Sequence, residues 1–486
     1  MGIIAKQSIY NVVSIGLAFL IGAVNMVYLY PTYPGKECQG LIVALLANSN
    51  LIQPCISFGV QHTLIKYFSE AQSKEERDRL LWFVLLLPLV IIALILPFYF
   101  QFNTALLEII AGKGNGVSRF PFLILAIAIS TAYFEVFFSW LRVHLKTVFG
   151  NFLKEVYPRV LVFLLLMAYI LEWIDLDGFI NFLIIGYYLR LLCVMCYSFF
   201  IYIPSFNFHL PSNWTSLLRY SALIFLSGAA ASFILDIDKS MIFAITKDEN
   251  VAFYAVALYI AAVIEAPGRA MFQITSPMVA QAINSNDLNR LEELLKKSSI
   301  NLMVVSGLAF LIVNLNLLDF YKLINQPGYA SAFSVVIIIS LGKFFSMSMG
   351  CLNNIISNSK YYPYVFWFSV SSAVLAVLLN YYLISAYGIM GAAFATLIVI
   401  LFINSCKLIL IYYAFNIHPY NRKSLSIIGS IFLIYGMVYS IPSIDSPILA
   451  ILLRSLAILI LFLVPFYLFK WSSEIEAVLK RFSRYK

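Results

Sequence analysis

The chain has 486 residues, 62% of them apolar and only 11% charged. Soluble domains carry about 25% charged residues and disordered chains are far less hydrophobic, so both classes are excluded. A net charge of +9 raises nucleic acid as a partner, but no basic run is dense enough to follow a groove, which excludes that class too.

Fourteen apolar stretches reach the roughly 20 residues needed to span a bilayer. They fall at 8–30, 41–63, 81–102, 120–142, 156–173, 179–203, 217–246, 250–277, 299–320, 330–356, 362–384, 389–414, 425–441 and 447–469. An all-α membrane protein with about 14 transmembrane helices is expected. The first stretch has no small-residue cleavage site, so it is expected to stay as a helix. An even number of spans puts both termini on one side. Of 32 Lys and Arg residues, 22 fall on that side, counting Arg142, Arg159, Arg219 and Lys407 toward the inner ends of their spans, five on the other and five deeper within spans. The positive-inside rule makes the first side the cytoplasm. The outer loop from Glu172 to Asp177 is acidic, in agreement. No loop is long enough for a soluble catalytic domain, so no enzyme is expected.

The two longest inner loops, 64–80 and 278–298, read as amphipathic surface helices. They also mark a repeat. YFSEAQSKEERDRLL follows a helix containing QPCISFGV, and AINSNDLNRLEELL follows one containing TSPMVAQ. Each closes the first hairpin of a half. The expected organisation is a six-helix lobe at 1–203, a polar cytoplasmic linker at 204–216 and a second six-helix lobe at 217–414. Two extra helices at 425–469 and a basic tail at 470–486 complete it. Parallel repeats with the site between them are a transporter architecture.

An ionised group in hydrocarbon costs about 3 kcal/mol or more, so charges inside spans mark function or pairing. Asp236, Asp238 and Lys239 interrupt the seventh span, and Glu265 and Arg269 lie one turn apart in the eighth. Polar stripes at helical spacing show which faces avoid lipid. The first helix carries Asn11, Ser14, Ala18, Gly22 and Asn25, and the second Gln53, Ser57 and Gln61. The fourth carries Thr131, Glu135, Ser139, Arg142 and Lys146, and its repeat partner, the tenth, Lys343, Ser346, Gly350, Asn353 and Asn354.

At 1.5 Å per residue, Arg190 lies roughly 16 Å and Lys343 roughly 20 Å from the outer ends of their spans. Both are near the middle of the bilayer. Arg190, Lys343, Arg269 and Arg142 are therefore the candidate substrate-binding cations, because Arg above all matches phosphate geometry. Arg142 and Arg454 lie near interfaces, where simple snorkelling competes with that role. Glu135, Asp236, Asp238 and Glu265, with Lys239, are candidates for coupling or gating through H⁺ or Na⁺, against the alternative of salt bridges. No Walker A sequence, metal-ligand spacing or cofactor motif occurs. Cys193 and Cys196 read as small apolar residues of a helix.

The motif residues carry a resemblance. Asp236-Ile-Asp238-Lys239, a short charged loop and Phe253-Tyr254-Ala255-Val256-Ala257 resemble the "Asp-Lys/Arg … Val-Gly-x-Tyr-x-x-Ala" region of the polysaccharide transporter (Wzx-type) flippases. Pro267, Ser276-Pro277 and the Asn-Asp-x-x-x-Leu-x-x-Leu-Leu helix continue it, as does Tyr387-Gly388-Ile389-Met390-Gly391-Ala392-Ala393. Ala252-Phe253 stands where the family usually has Val-Gly. The resemblance implies a two-lobed, V-shaped, MATE-like fold in the bacterial inner membrane that alternates access. The implied cargo is an undecaprenyl-diphosphate-linked oligosaccharide for O-antigen (lipopolysaccharide), capsule or exopolysaccharide assembly. It also implies membrane lipids, a polysaccharide polymerase and glycosyltransferases as partners. A multidrug (MATE-type) antiporter and a MurJ-type lipid II flippase are the alternatives of the same superfamily. In the family, a cationic cavity binds pyrophosphate or acidic sugars, which suits Arg190, Lys343 and Arg269.

The topology has a direct check. In a background without the native cysteines, Lys36→Cys and Lys247→Cys should react with an impermeant thiol reagent added outside intact cells. Protection of both would reverse the assignment.

Overall fold

The computed structural model describes residues 14, 16–68, 70–71, 73–111, 121–144, 146–205, 209–324, 326, 328–440, 445–472 and 474–476. Lys6, Asn11, Lys113, Arg119 and the tail cations from Lys480 onward lie outside the described residues. All regular structure among the described residues is helical. Among the described residues nine helices are long and apolar enough to cross a membrane, and the shorter Gly16–Thr32 adds a further apolar helix. The chain forms two compact units, 1–252 and 253–486. That division falls one helix later than the polar linker at 204–216.

Unit 1 contains α1 (Gly16–Thr32), α2 (Gly35–Ser57), α3 (Val60–Tyr67), α4 (Lys74–Ala111) and α5 (Pro121–Val143). It continues through α6 (Thr147–Glu155), α7 (Tyr157–Ile170), α8 (Leu176–Ile201) and α9 (Trp214–Ile245). Helix α10 (Asp248–Ala261) starts at its end. The core around Trp140 collects Val60 and Leu64 of α3, Leu81 and Val84 of α4, Phe134, Phe138 and Leu141 of α5, and Leu153 of α6. On α1 the described stripe residues Ala18, Gly22 and Asn25 are buried, and Asn25 donates to the Arg159 carbonyl at 2.8 Å. Val24–Leu29 runs as a π-helix within α1, and Gln39 donates to the Met26 carbonyl there at 2.9 Å.

The second predicted span is not one helix. It breaks at Phe58 and Gly59, both with positive φ (45° and 73°), four and five residues beyond Pro54. Proline removes a backbone donor and glycine takes the left-handed region at no steric cost, so an elbow separates α2 from α3. The elbow is pressed onto α9. A Cβ on Gly59 would lie 2.6 Å from the Ser221 carbonyl oxygen. Thr63 and Ser221 share a 2.6 Å hydroxyl hydrogen bond, and the rings of Phe58 and Phe225 stack at 5.1 Å.

The fully buried Asp78, near the start of α4, accepts from the Tyr202 hydroxyl and from the Ser205 backbone N–H at 3.1 Å. Trp82 donates to the Ser205 carbonyl at 2.8 Å, which ties the start of the linker to unit 1.

Unit 2 contains most of α10, then α11 (Ala266–Asn284), α12 (Leu288–Ile324), α13 (Phe333–Ser348) and α14 (Leu352–Asn358). Next come α15 (Pro363–Tyr387), α16 (Ile389–Phe415), α17 (Arg422–Tyr439) and α18 (Pro447–Leu468). The eighth predicted span is interrupted by a 3₁₀ turn at Ala262–Ile264, and Glu265 sits on that break. The surface helix expected at 278–298 is divided: α11 ends at Asn284, and α12 runs unbroken from Leu288 through the rest of it and the ninth span. Helices α15 and α16 meet at Gly388, whose φ of 58° and ψ of −135° end one helix and begin the next. Helices α17 and α18 pack against α12 around Ile431, Ile434, Ile458 and Phe462. Trp471, after α18, is buried, and its indole donates to Ser426 at 3.1 Å.

Arg454 of α18 does not snorkel. It pairs at 2.6 Å with Asp319 of α12, which Lys322 also contacts at 2.9 Å. Opposite this inward face, Ile448, Leu452, Leu456 and Ile460 are exposed at helical spacing. A helix exterior of this kind suits lipid and not water, and the chain is a multi-pass membrane protein.

The elbow yields a test. Gly59→Ala places a Cβ against the α9 backbone and in a left-handed conformation, so it should cost about 1–2 kcal/mol. Thermal unfolding in detergent should show it. An unchanged melting temperature would mean that the elbow is not under this constraint.

Candidate functional site

The elbow between α2 and α3 forms one wall of a cavity of about 330 Å³ within unit 1. Gln53, Ser57, Gln61 and His62 come from the two sides of the elbow, and Ile224 and Phe225 from α9. The facing wall is charged: Glu135 and Arg142 of α5 and Lys154 of α6. The polar stripes of the second and fourth spans thus meet here. Two of the stripe residues satisfy each other, since Gln53 donates to Ser57 at 3.2 Å. Gln61 keeps an unpartnered side-chain oxygen.

Phe138 organises the charges. Its ring is buried, and Gly150 of α6 lies against it so closely that a Cβ there would sit 2.4 Å from the ring. This approach brings Lys154, one turn on, over the same ring that carries Arg142. The Arg142 guanidinium lies 4.3 Å and the Lys154 ammonium 5.5 Å from the ring centroid. A cation over an aromatic face gains about 0.5–1 kcal/mol where water reaches it and more where it does not. Lys154 also pairs with Glu135 at 2.6 Å. Arg142 has no carboxylate partner among the described residues. The wall therefore offers two converging cations against one carboxylate.

The other predicted residues are placed apart from this cavity. Arg190 is 5% exposed on α8, held between Phe134 (4.4 Å) and Tyr187 (4.6 Å). It donates to Thr131 at 3.3 Å, while its Nε has no partner. Asp236 and Lys239 of α9 pair with each other, and Asn50 donates to Asp236 at 3.1 Å. Asp238 is buried on the same helix. In unit 2, Glu265 pairs with Lys343 of α13, not with Arg269 one turn away, which is exposed. Glu265, at the end of the 3₁₀ turn Ala262–Ile264, caps the helix that carries Arg269. Asn354 donates to the Phe272 carbonyl and to Thr275, each at 3.0 Å.

Lys154 and His62 are the cavity residues that sequence reasoning missed. Lys154 was counted with the inner-loop charges because α6 lies outside every apolar span. The available signal was Gly150 four residues before it, a small residue on the same helical face. Among the described residues no three His, Cys, Asp or Glu side chains are grouped to hold a metal ion.

Comparison with known proteins adds the following. A family model described as "Polysaccharide biosynthesis protein" matches residues 4–282. No curated protein matches the chain. Among solved structures, the lipid II flippase MurJ in an inward-closed conformation superposes with a TM-score of 0.75 at 15% identity, over 96% of this chain and 98% of that one. An inward-facing multidrug-resistance MATE transporter gives 0.61 at 14% identity, over 84% and 98%. A Vibrio cholerae MATE transporter gives 0.51 at 13% identity, over 85% and 95%. The fold is the one expected, shared with MATE and MurJ proteins.

The Glu265–Lys343 pair can be tested by stability. Both side chains are partly exposed, so the pair is discounted to about 1 kcal/mol. Lys343→Met should lower the melting temperature in detergent, and adding Glu265→Gln should restore part of the loss. Additive losses would show that the two charges act independently.

Proposed function

Because the chain belongs to the polysaccharide biosynthesis protein family, we propose that it is a flippase that carries an undecaprenyl-diphosphate-linked oligosaccharide across the bacterial inner membrane by alternating access. The cargo serves O-antigen, capsule or exopolysaccharide assembly. The observation that carries this reading is the Arg142–Lys154 wall, where a guanidinium without a carboxylate partner converges with an ammonium over one buried ring. Arg binds phosphate through a planar, two-pronged donor set and Lys as a point charge, so together they suit the diphosphate of a lipid carrier. At about 330 Å³ the cavity is at the small end for ligand sites, which run from about 300 to 1,000 Å³. It fits the phosphate-bearing part of the cargo, and the glycan extends beyond it.

Arg190, Lys343 and Arg269 contribute positive potential away from that wall. Glu135, Asp236, Asp238, Lys239 and Glu265 are the groups on which an H⁺ or Na⁺ gradient acts. Both termini are cytoplasmic, from the distribution of Lys and Arg. A drug-cation antiporter is disfavoured, because Glu135, the one carboxylate that lines the cavity, already has Lys154 as its partner.

Arg142→Ala should reduce surface polysaccharide roughly tenfold or more, the size of one charged hydrogen-bonding contact. Membrane abundance should be unchanged, and Arg142→Lys should restore part of the export. Normal export by Arg142→Ala would remove the cavity from the transport route.

A further inference from the structure

The cavity holds its own anion. Glu135 Oε1 lies 2.6 Å from Lys154 Nζ, its side chain is 19% exposed, and both groups line the cavity. Lys154 and Arg142 share the Phe138 ring, so a ligand phosphate that contacts Arg142 comes within reach of Lys154 as well. To reach Lys154 it must displace the Glu135 carboxylate or sit beside it.

From this geometry, and resting on the anion-binding reading of the cavity, we infer that Glu135 is an internal competitor for the cargo's phosphate: it occupies Lys154 when the site is empty and weakens binding when the site is full. The physical case has two parts. An ammonium in a half-buried cavity needs a counter-charge whenever cargo is absent, because removing one partner of a buried pair leaves an uncompensated charge. A carboxylate next to a bound phosphate repels it, and for partly buried charges that repulsion is on the order of a tenfold loss of affinity or more. A translocator gains from this loss, since conduction through any binding site requires a grip strong enough to enter and weak enough to leave. The exchange needs no covalent step. Lys154 trades one anion for another, and Glu135 is handed back to it when the cargo departs. Arg142 has no such competitor, so it makes the first contact and Lys154 provides the adjustable one.

This assigns opposite signs to residues on one wall. Replacing a cation weakens binding, whereas replacing Glu135 strengthens binding and slows export. A residue needed only for folding would not strengthen binding when replaced.

The test uses purified full-length protein in detergent with farnesyl diphosphate as the probe, measured by titration calorimetry alongside export in cells. Arg142→Ala and Lys154→Met should bind the probe more weakly than the unmodified protein. Glu135→Gln should bind it on the order of tenfold more tightly. The same variant should lower surface polysaccharide at equal membrane abundance. If Glu135→Gln is poorly folded by thermal unfolding, Glu135→Asp, which keeps the charge but shortens the reach to Lys154, should bind more tightly by a smaller factor. Unchanged binding in Arg142→Ala and Lys154→Met would overturn the anion-binding reading itself. Weaker binding in those two, with Glu135→Gln or Glu135→Asp no tighter than the unmodified protein, would overturn the competitor alone.

Discussion

An ionised side chain away from water must find a counter-charge, an aromatic face or a cavity, and the placement of charge in this protein follows from that requirement. Each compact unit meets it internally. In unit 1 Glu135 answers Lys154, and Asp236 answers Lys239. In unit 2 Glu265 answers Lys343, and Asp319 answers both Arg454 and Lys322. Arg190 uses rings in place of a carboxylate. Arg142 resembles it, with Phe138 beneath it, but Arg142 also lines a cavity. Among the described residues it has no carboxylate partner, and it is not fully buried.

The cavity exists because two backbone features depart from regular helix packing. The elbow at Phe58–Gly59 turns the second span so that Gln53 and Ser57 face the cavity from one side and Gln61 and His62 from the other. Gly59 permits the close approach to α9, and a larger residue there would push the two walls apart. Gly150 does the same for the charged wall by letting α6 lie on Phe138. Local conformation, packing and electrostatics are thus linked through two glycines and one phenylalanine. The glycan needs no enclosed pocket in this account, because recognition falls on the phosphate that every such lipid carrier shares.

Much of the fold was legible in the sequence. Long apolar runs, few charges and short loops leave helices through a membrane as the available solution. The spacings Gln53/Ser57 and Glu135/Arg142 were legible too, because each lies within one helix, whereas Gln61 reaches the same cavity across the elbow at Phe58–Gly59. The pairing of Glu265 was not. It depends on the approach of α13 from 78 positions along the chain. Arg454 near an interface suggested snorkelling, because the sequence does not say that Asp319 would be within 2.6 Å. Lys154 was hidden by its position on a short helix outside every apolar run. Its role arises from contact with Phe138 and Glu135, which is a tertiary fact.

As a flippase, the chain itself would move a diphosphate-linked lipid across a bilayer. Purified protein reconstituted into proteoliposomes with a fluorescent undecaprenyl-diphosphate oligosaccharide tests it most directly, by the fraction of label that a membrane-impermeant quencher reaches from outside. The account predicts that this fraction rises from about half in protein-free vesicles toward completeness with protein present, and that inorganic diphosphate slows the rise. A fraction that stays at the protein-free level, in vesicles shown to contain folded protein, would contradict it.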